Sequence, residues 1–208
     1  MHIRRMLLLS VVIGLLLTPW ALADELLDEA LVFAIVSRDL SKTQSLLAQG
    51  ADPNAINDED NSGSAMCRAA QRGMATFMEV LIEHGADVNQ WFENAAMFDR
   101  TPLACAVSAG NVGAFELLLE AGADVSIELC PTCTQQTGMS MVENAVLSNR
   151  NELLWRLLKL DIATERDIET IVYAFENFSA GLRPLDNKVR QRIITWIREQ
   201  GVEFEPKM

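Results

Sequence analysis

Apolar positions along the chain recur in pairs of short helical segments that end in the same tripeptide. A pair of leucine or isoleucine residues stands four and three residues before a Gly-Ala-Asp tripeptide at three places, namely Leu46-Leu47 before Gly50, Leu81-Ile82 before Gly85, and Leu118-Leu119 before Gly122. The three tripeptides lie 35 and 37 residues apart. A period of about 20–50 residues indicates a repeat architecture, in which each unit buries its apolar face against its neighbours.

The third unit shows which elements one repeat contains. Thr101 can cap a helix with its hydroxyl group, and Pro102 suits the first helical position, where no backbone donor is needed. Gly110 ends this helix. A second helix is predicted over about residues 112–121, and Gly122 suits the left-handed position that follows a helix. Each unit is therefore predicted to be a helix–turn–helix pair.

The pattern extends to five units, which we predict to form a single all-α domain over residues 24–208. The units span about residues 25–54, 64–89, 101–126, 140–163 and 167–204. The first helix of each unit repeats a small position, held by Ala34, Ala69, Ala106, Ala145 and Ala174, and a core position, held by Leu31, Met66, Leu103, Val142 and Ile171. Asp161 takes the glycine position of the fourth unit. We expect the outer units to act as caps.

The third unit, Thr101-Pro102-Leu103-Ala104-Cys105-Ala106, resembles the signature T-P-L-H-x-A of the ankyrin repeat, whose period is about 33 residues. The resemblance implies an ankyrin-repeat solenoid of helix–turn–helix units. In that fold the first helices and the connecting segments, called fingers, form a concave face that engages partner proteins. The fingers are extended here, at 14 residues from Gly50 to Ser64, 16 from Gly85 to Thr101, and 18 from Gly122 to Ser140. Insertions on this face favour a binding role.

The first 23 residues are predicted to be a secretory signal peptide. Arg4 and Arg5 precede an apolar run over residues 6–17, which is shorter than the ~20 residues that span a bilayer. A small-x-small cleavage site ends at Ala23. We therefore expect cleavage after Ala23 and export to a bacterial periplasm, with an uncleaved membrane anchor as the alternative.

The chain is acidic, with 29 aspartate and glutamate residues against 17 lysine and arginine residues and a formal net charge of −12. Nucleic acid and anionic lipid both attract basic segments, so neither is expected as a partner. A negative surface favours solubility, and it would steer a basic partner protein toward the molecule.

The second finger carries an unusual concentration of large side chains. Aromatic residues, methionine and arginine are enriched at interface cores, and this finger holds Trp91, Phe92, Met97, Phe98 and Arg100. We predict these five residues as partner-binding anchors. The alternative is that they fold back on a neighbouring finger as a local core.

The four cysteines form two pairs with different interpretations. Cys130 and Cys133 belong to a Cys-Pro-Thr-Cys motif in the third finger. Because no βαβ pattern surrounds it, we predict a structural disulfide, with a thiol–disulfide redox centre as the alternative. Cys67 and Cys105 lie on the first helices of neighbouring units. Stacked helices are ~8–10 Å apart, whereas a disulfide needs Cα atoms within about 6.8 Å, so we expect two buried free thiols.

The sequence offers no residue set for catalysis. His84 is the only histidine after the predicted cleavage site, and its place before Gly85 suits a helix end. One histidine cannot build a His-rich metal centre, and neither a nucleophile elbow nor a phosphate-binding loop is present. We therefore predict no enzyme activity, no metal and no cofactor.

Together these features predict a non-catalytic, monomeric protein-binding module of the periplasm. The partner would be another protein. The resemblance to exported bacterial ankyrin proteins implies either an accessory role toward an envelope enzyme or an immunity role against a toxin. The alternative function is redox chemistry at Cys130 and Cys133.

Overall fold

The computed structural model contains ten helices and two short strands within the residues that it describes, which are 24–57, 63–92, 101–129, 138–177 and 187–204. The predicted signal peptide lies outside these ranges. None of the helices described is long and apolar enough to cross a membrane.

The helices alternate between two layers. The first helices of the units form an inner layer of α1 (24–36), α3 (Ala65–Gln71), α5 (Pro102–Ala109), α7 (Met141–Leu147) and α9 (Glu165–Asn177). The second helices form an outer layer of α2 (Leu40–Ala48), α4 (Ala75–Glu83), α6 (Val112–Glu120), α8 (Asn151–Leu158) and α10 (Asn187–Glu199). Helix α3 packs on α5, α5 on α7, and α7 on α9. In the outer layer α2 packs on α4, α4 on α6, and α8 on α10, and Arg156 of α8 pairs with Glu116 of α6. The predicted all-α stack of helix–turn–helix units is confirmed.

The core lies between the two layers and between successive units. Every predicted core position and every predicted small position of the first helices is buried. The alanines let neighbouring inner helices approach, and outer-layer side chains such as Phe115 and Leu118 fill the remaining space. Because each large apolar side chain contributes about 1.5–3 kcal/mol on burial, the stack is held together mainly by these contacts between units.

Left-handed residues mark the helix ends. One set lies between the two helices of a unit, with φ from 55° to 80°, at Arg38, Gly73, Gly110 and Asn149. A second set follows the outer helices, with φ from 54° to 100°, at Gly50, Gly85, Gly122, Asp161 and Gly201. Asp161 therefore takes the glycine position of the fourth unit, and the repeat continues to the last helix.

Arg38 is the residue least suited to its position, because a non-glycine side chain in the left-handed conformation costs ~1–2 kcal/mol and arginine lacks the local hydrogen bonds of asparagine or aspartate. We expect Arg38→Gly to raise the free energy of unfolding by about 0.5–1 kcal/mol, after allowing for the greater freedom of glycine in the unfolded chain. Urea unfolding followed by circular dichroism measures this. Arg38→Ala removes the charge but keeps Cβ, and equal stability of the two variants would contradict the explanation.

The bases of the first and third fingers each hold an antiparallel backbone pairing. Strand β1 (Ile56–Asn57) pairs antiparallel with β2 (Gly63–Ser64). In the third finger, Leu129 and Met139 exchange two backbone hydrogen bonds of 2.7 Å. Ser64 then caps α3 by accepting from the backbone of Cys67 at 3.2 Å, so the first finger leads directly into the next inner helix.

Candidate protein-binding surface

Among the described residues, the inner helices expose large apolar side chains at four points, one of which is Leu26 near the start of α1, 60% exposed. Phe33 of α1 is 65% exposed, Leu147 of α7 is 71% exposed, and Tyr173 of α9 is 61% exposed. Phe33 and Tyr173 occupy the same repeat position, directly before the small alanine, and Leu147 lies two residues after that alanine. We call Phe33, Leu147, Tyr173 and the finger residue Trp91 the inner surface.

The second finger begins with two aromatic residues that have opposite environments. Trp91 is 38% exposed, as a binding anchor requires, whereas Phe92 is only 5% exposed. The Phe92 ring lies against Gly63 of the first finger, so closely that a Cβ atom on Gly63 would stand 2.8 Å from its Cζ atom. Phe92 thus follows the alternative interpretation, a local core between fingers.

The other predicted anchors, Met97, Phe98 and Arg100, lie outside the described residues. Their role in partner binding stays a prediction. The same holds for the disulfide between Cys130 and Cys133, because both cysteines lie outside the described residues.

The prediction of free thiols at Cys67 and Cys105 is wrong, because these residues form a disulfide between α3 and α5. Their Cα atoms are 5.5 Å apart, inside the range that a disulfide requires. The spacing between two helices depends on the side chains at their contact. Here the contact contains alanines with no exposed surface, including Ala65, Ala69 and Ala104, which bring the two helices closer than average spacing suggests.

The finger bases share a repeated turn. In each Gly-Ala-Asp sequence the aspartate Oδ1 atom accepts a 2.8 Å hydrogen bond from the backbone N–H two residues later, as Asp52 does from Asn54, Asp87 from Asn89, and Asp124 from Ser126. Aspartate favours such turns because its side chain reaches its own backbone. The repeated tripeptide therefore shapes the entry to each finger as well as ending a helix.

Side-chain amides connect these turns from one unit to the next. The backbone N–H of Asp87 donates to Asn54 Oδ1 at 2.7 Å, and that of Asp124 donates to Asn89 Oδ1 at 2.7 Å. Asp28 replaces the asparagine at the first unit and accepts from the backbone of Asp52 at 2.7 Å. The three finger bases are therefore held in register along one edge of the stack.

The two ends of this row of turns differ electrostatically. Burial raises the pKa of Asp28, with the charges of Asp52 and Asp24 adding to the effect, while the hydrogen bond from Asp52 opposes it. Hydrogen bonds from the side chain and backbone of Ser126 lower the pKa of Asp124. Asp124 thus keeps its negative charge to lower pH than Asp28 does.

A buried polar cluster joins the fourth and fifth units. Ser140 and Glu143 form a reciprocal capping box at the start of α7, with hydrogen bonds of 3.0 and 2.9 Å. Asp167 accepts from the Thr164 backbone at 2.7 Å, from the Thr164 hydroxyl at 2.8 Å, and from the Ser140 hydroxyl. Arg166 pairs with Glu143 at 3.0 Å. These contacts tie the starts of two inner helices together and satisfy the buried carboxylates, which indicates a structural role.

His84 stands at the end of α4, where its Nδ1 atom lies 2.8 Å from the carbonyl oxygen of Val80. A ring held against its own helix suits a structural role. Within the described ranges, no three histidine, cysteine, aspartate or glutamate side chains form a group that could hold a metal ion.

Comparison with known proteins gives a family match over the part of the chain that contains the first three units. Residues 31–129 match the family described as ankyrin repeats, in three copies. Protein PhlB of Serratia liquefaciens is 38% identical to the chain over 97 residues, which make up 47% of this chain and 40% of PhlB. The chain thus spans less than half the length of this curated relative.

The ankyrin-repeat assignment agrees with the first three helix pairs, and the remaining two continue the same stack in the structure. Ankyrin repeats generally mediate protein–protein interaction and are typically non-catalytic. The sequence interpretation expected binding by the fingers and by exposed positions of the first helices, but it named residues only in the second finger and did not single out the exposed Phe33, Leu147 and Tyr173. Comparing the residues beside the small alanine in each unit could have found them, since most units hold a smaller or polar residue there.

Proposed function

We propose that the protein is a non-catalytic binding module that holds a partner protein against its inner surface and fingers. The observation that carries the proposal is the exposure of Phe33, Leu147 and Tyr173, each more than 60% exposed on the inner layer. Large apolar side chains held in water are unfavourable unless a partner covers them, and aromatic residues contribute strongly when buried at an interface.

A periplasmic location is the second part of the proposal. The predicted signal peptide supports it, and so does the Cys67–Cys105 disulfide, because disulfides form and persist in oxidising compartments and are rare in the cytosol. In the periplasm the acidic chain, with its net charge of −12, would attract a basic partner. We propose that a monomer binds an envelope enzyme as an accessory protein, or a toxin as an immunity protein.

The proposal is tested by affinity capture from periplasmic extract with a Phe33→Ala/Tyr173→Ala double variant. We expect partner binding to weaken at least about tenfold, because two exposed anchors are removed without touching the core. Isothermal titration with the captured partner gives the dissociation constant. Leu160→Ala is the matched control, since Leu160 is 43% exposed but lies in the turn after the outer helix α8. An equal loss of partner affinity in the Leu160→Ala control, or no loss of affinity in the double variant, would contradict the role of the inner surface in binding.

A further inference from the structure

The Cys67–Cys105 disulfide lies directly beneath the start of the second finger. A Cβ atom built on Gly63 would stand 2.8 Å from Phe92 Cζ and 3.6 Å from Cys67 Sγ, so Gly63, the Phe92 ring and the disulfide meet at one point. Cys67 is 1% exposed and Cys105 is fully buried. The Phe92 ring and the buried disulfide therefore both lie beside the same point of the Gly63 backbone.

The neighbouring residue turns outward. Trp91 is 38% exposed, and its backbone continues directly into the buried Phe92. Because Trp91 directly precedes Phe92, a shift of the Phe92 ring would move the backbone that carries the Trp91 indole. The position of this inner-surface residue thus depends on what lies beneath Phe92.

We propose that the Cys67–Cys105 disulfide positions the second finger, so that Trp91 is presented for partner binding only in the oxidised protein. The inference rests on the proposed function for the role of Trp91, but the positioning itself does not. Cys67, Cys105, Gly63 and Phe92 act on binding through Trp91, as positioning residues.

The chemistry of the switch is thiol–disulfide exchange. On oxidation the two thiols lose two protons and two electrons to a disulfide donor, which becomes a dithiol, and one S–S bond forms in the protein. Because the folded protein buries both sulfur atoms, reduction takes place while the chain is unfolded, when a dithiol such as dithiothreitol supplies the two electrons and two protons and is itself oxidised to a disulfide. The freed sulfur atoms then separate to non-bonded distance. Between close-packed helices, the group that yields is the one at the surface of the contact, the Phe92 ring.

Hydrogen exchange followed by mass spectrometry tests the positioning in a Cys130→Ser/Cys133→Ser background, where only Cys67 and Cys105 respond to redox conditions. The protein is refolded with and without excess dithiothreitol. We expect protection of residues 63–67 and 88–92 to fall on reduction by at least about tenfold more than protection of α6 and α8, which falls only through the loss of global stability. A loss of protection at residues 88–92 that is no larger than the loss in α6 and α8 would overturn the proposal, because general destabilisation would then explain it.

Gly63→Ala perturbs the same point with the disulfide intact. Its Cβ would collide with the Phe92 ring, so we expect the same loss of protection at residues 88–92. Gly85→Ala is the matched control, because Gly85 has a similar φ, +87° against +76°, and a Cβ there meets no atom within 4 Å. If both variants behave alike, backbone strain explains the effect and the proposal fails.

Partner affinity measured on the same samples separates the inference from the proposed function. If residues 88–92 lose protection from hydrogen exchange and partner binding weakens, both the positioning by the disulfide and the role of Trp91 in binding are supported. If these residues lose protection while binding is unchanged, the positioning by the disulfide stands and Trp91 is removed from the binding surface.

Discussion

Reduction of the Cys67–Cys105 disulfide should lower the free energy of unfolding by about 4 kcal/mol. The bridge closes a 38-residue segment, and a loop of that size restricts the unfolded chain by about this amount. The disulfide joins the second and third units, near the centre of the stack, where each unit is stabilised by contacts with its neighbours. Guanidinium unfolding of the oxidised and reduced forms measures the difference.

The thermal midpoint should fall correspondingly by about 8–15 °C for a chain of this size. The comparison belongs in the Cys130→Ser/Cys133→Ser background, so that the predicted bridge in the third finger does not contribute. A Cys67→Ala/Cys105→Ala variant should match the reduced protein to within about 1 kcal/mol. A difference below about 1 kcal/mol between oxidised and reduced protein would show that the helices hold this contact without the bond.

Asp167→Ala should lower the free energy of unfolding by about 3 kcal/mol. Asp167 is 1% exposed, and its carboxylate accepts hydrogen bonds from the Thr164 backbone, the Thr164 hydroxyl and the Ser140 hydroxyl. Hydrogen bonds to a charged group contribute more than neutral ones, and the change also removes a helix cap and leaves donors unpaired. Urea unfolding with circular dichroism gives the size of the loss.

The control is Glu169→Ala, which removes another carboxylate from α9 at an exposed position and should change stability by less than about 0.5 kcal/mol. Hydrogen exchange of the Asp167→Ala variant should show the greatest loss of protection in α9 and α10, because Asp167 joins the fifth unit to the fourth. A uniform loss of protection along the whole stack would contradict the role of Asp167 in joining the fourth and fifth units. So would a loss of unfolding free energy no larger than that of Glu169→Ala.

The repeat pattern predicted the fold well because the information is local and recurs. Glycine after a helix, alanine at a fixed position and a leucine pair before the turn each act within one unit, and the same choices appear in every unit. Even Asp161, which breaks the glycine pattern, takes the predicted left-handed conformation with φ of 54°.

The candidate site was predicted less well because it depends on contacts between units. Trp91 and Phe92 look alike as neighbouring aromatic residues, yet one is exposed and the other packs on Gly63, which precedes it by 29 positions along the chain. The sequence of each amphipathic helix does not show that Phe33 and Tyr173 remain exposed. Their exposure became evident only when the inner layer was assembled.

The sequence by itself determined the helical secondary structure, the number of units and the order in which they stack, because each follows from side-chain preferences repeated at a regular period. Only the tertiary structure decided which side chains remain in water and which cysteines are bonded. The Cys67–Cys105 bridge shows the physical reason. General helix spacing argued against it, but the alanines at this contact bring the Cα atoms to 5.5 Å, and that distance is a property of two helices packed together rather than of either one alone.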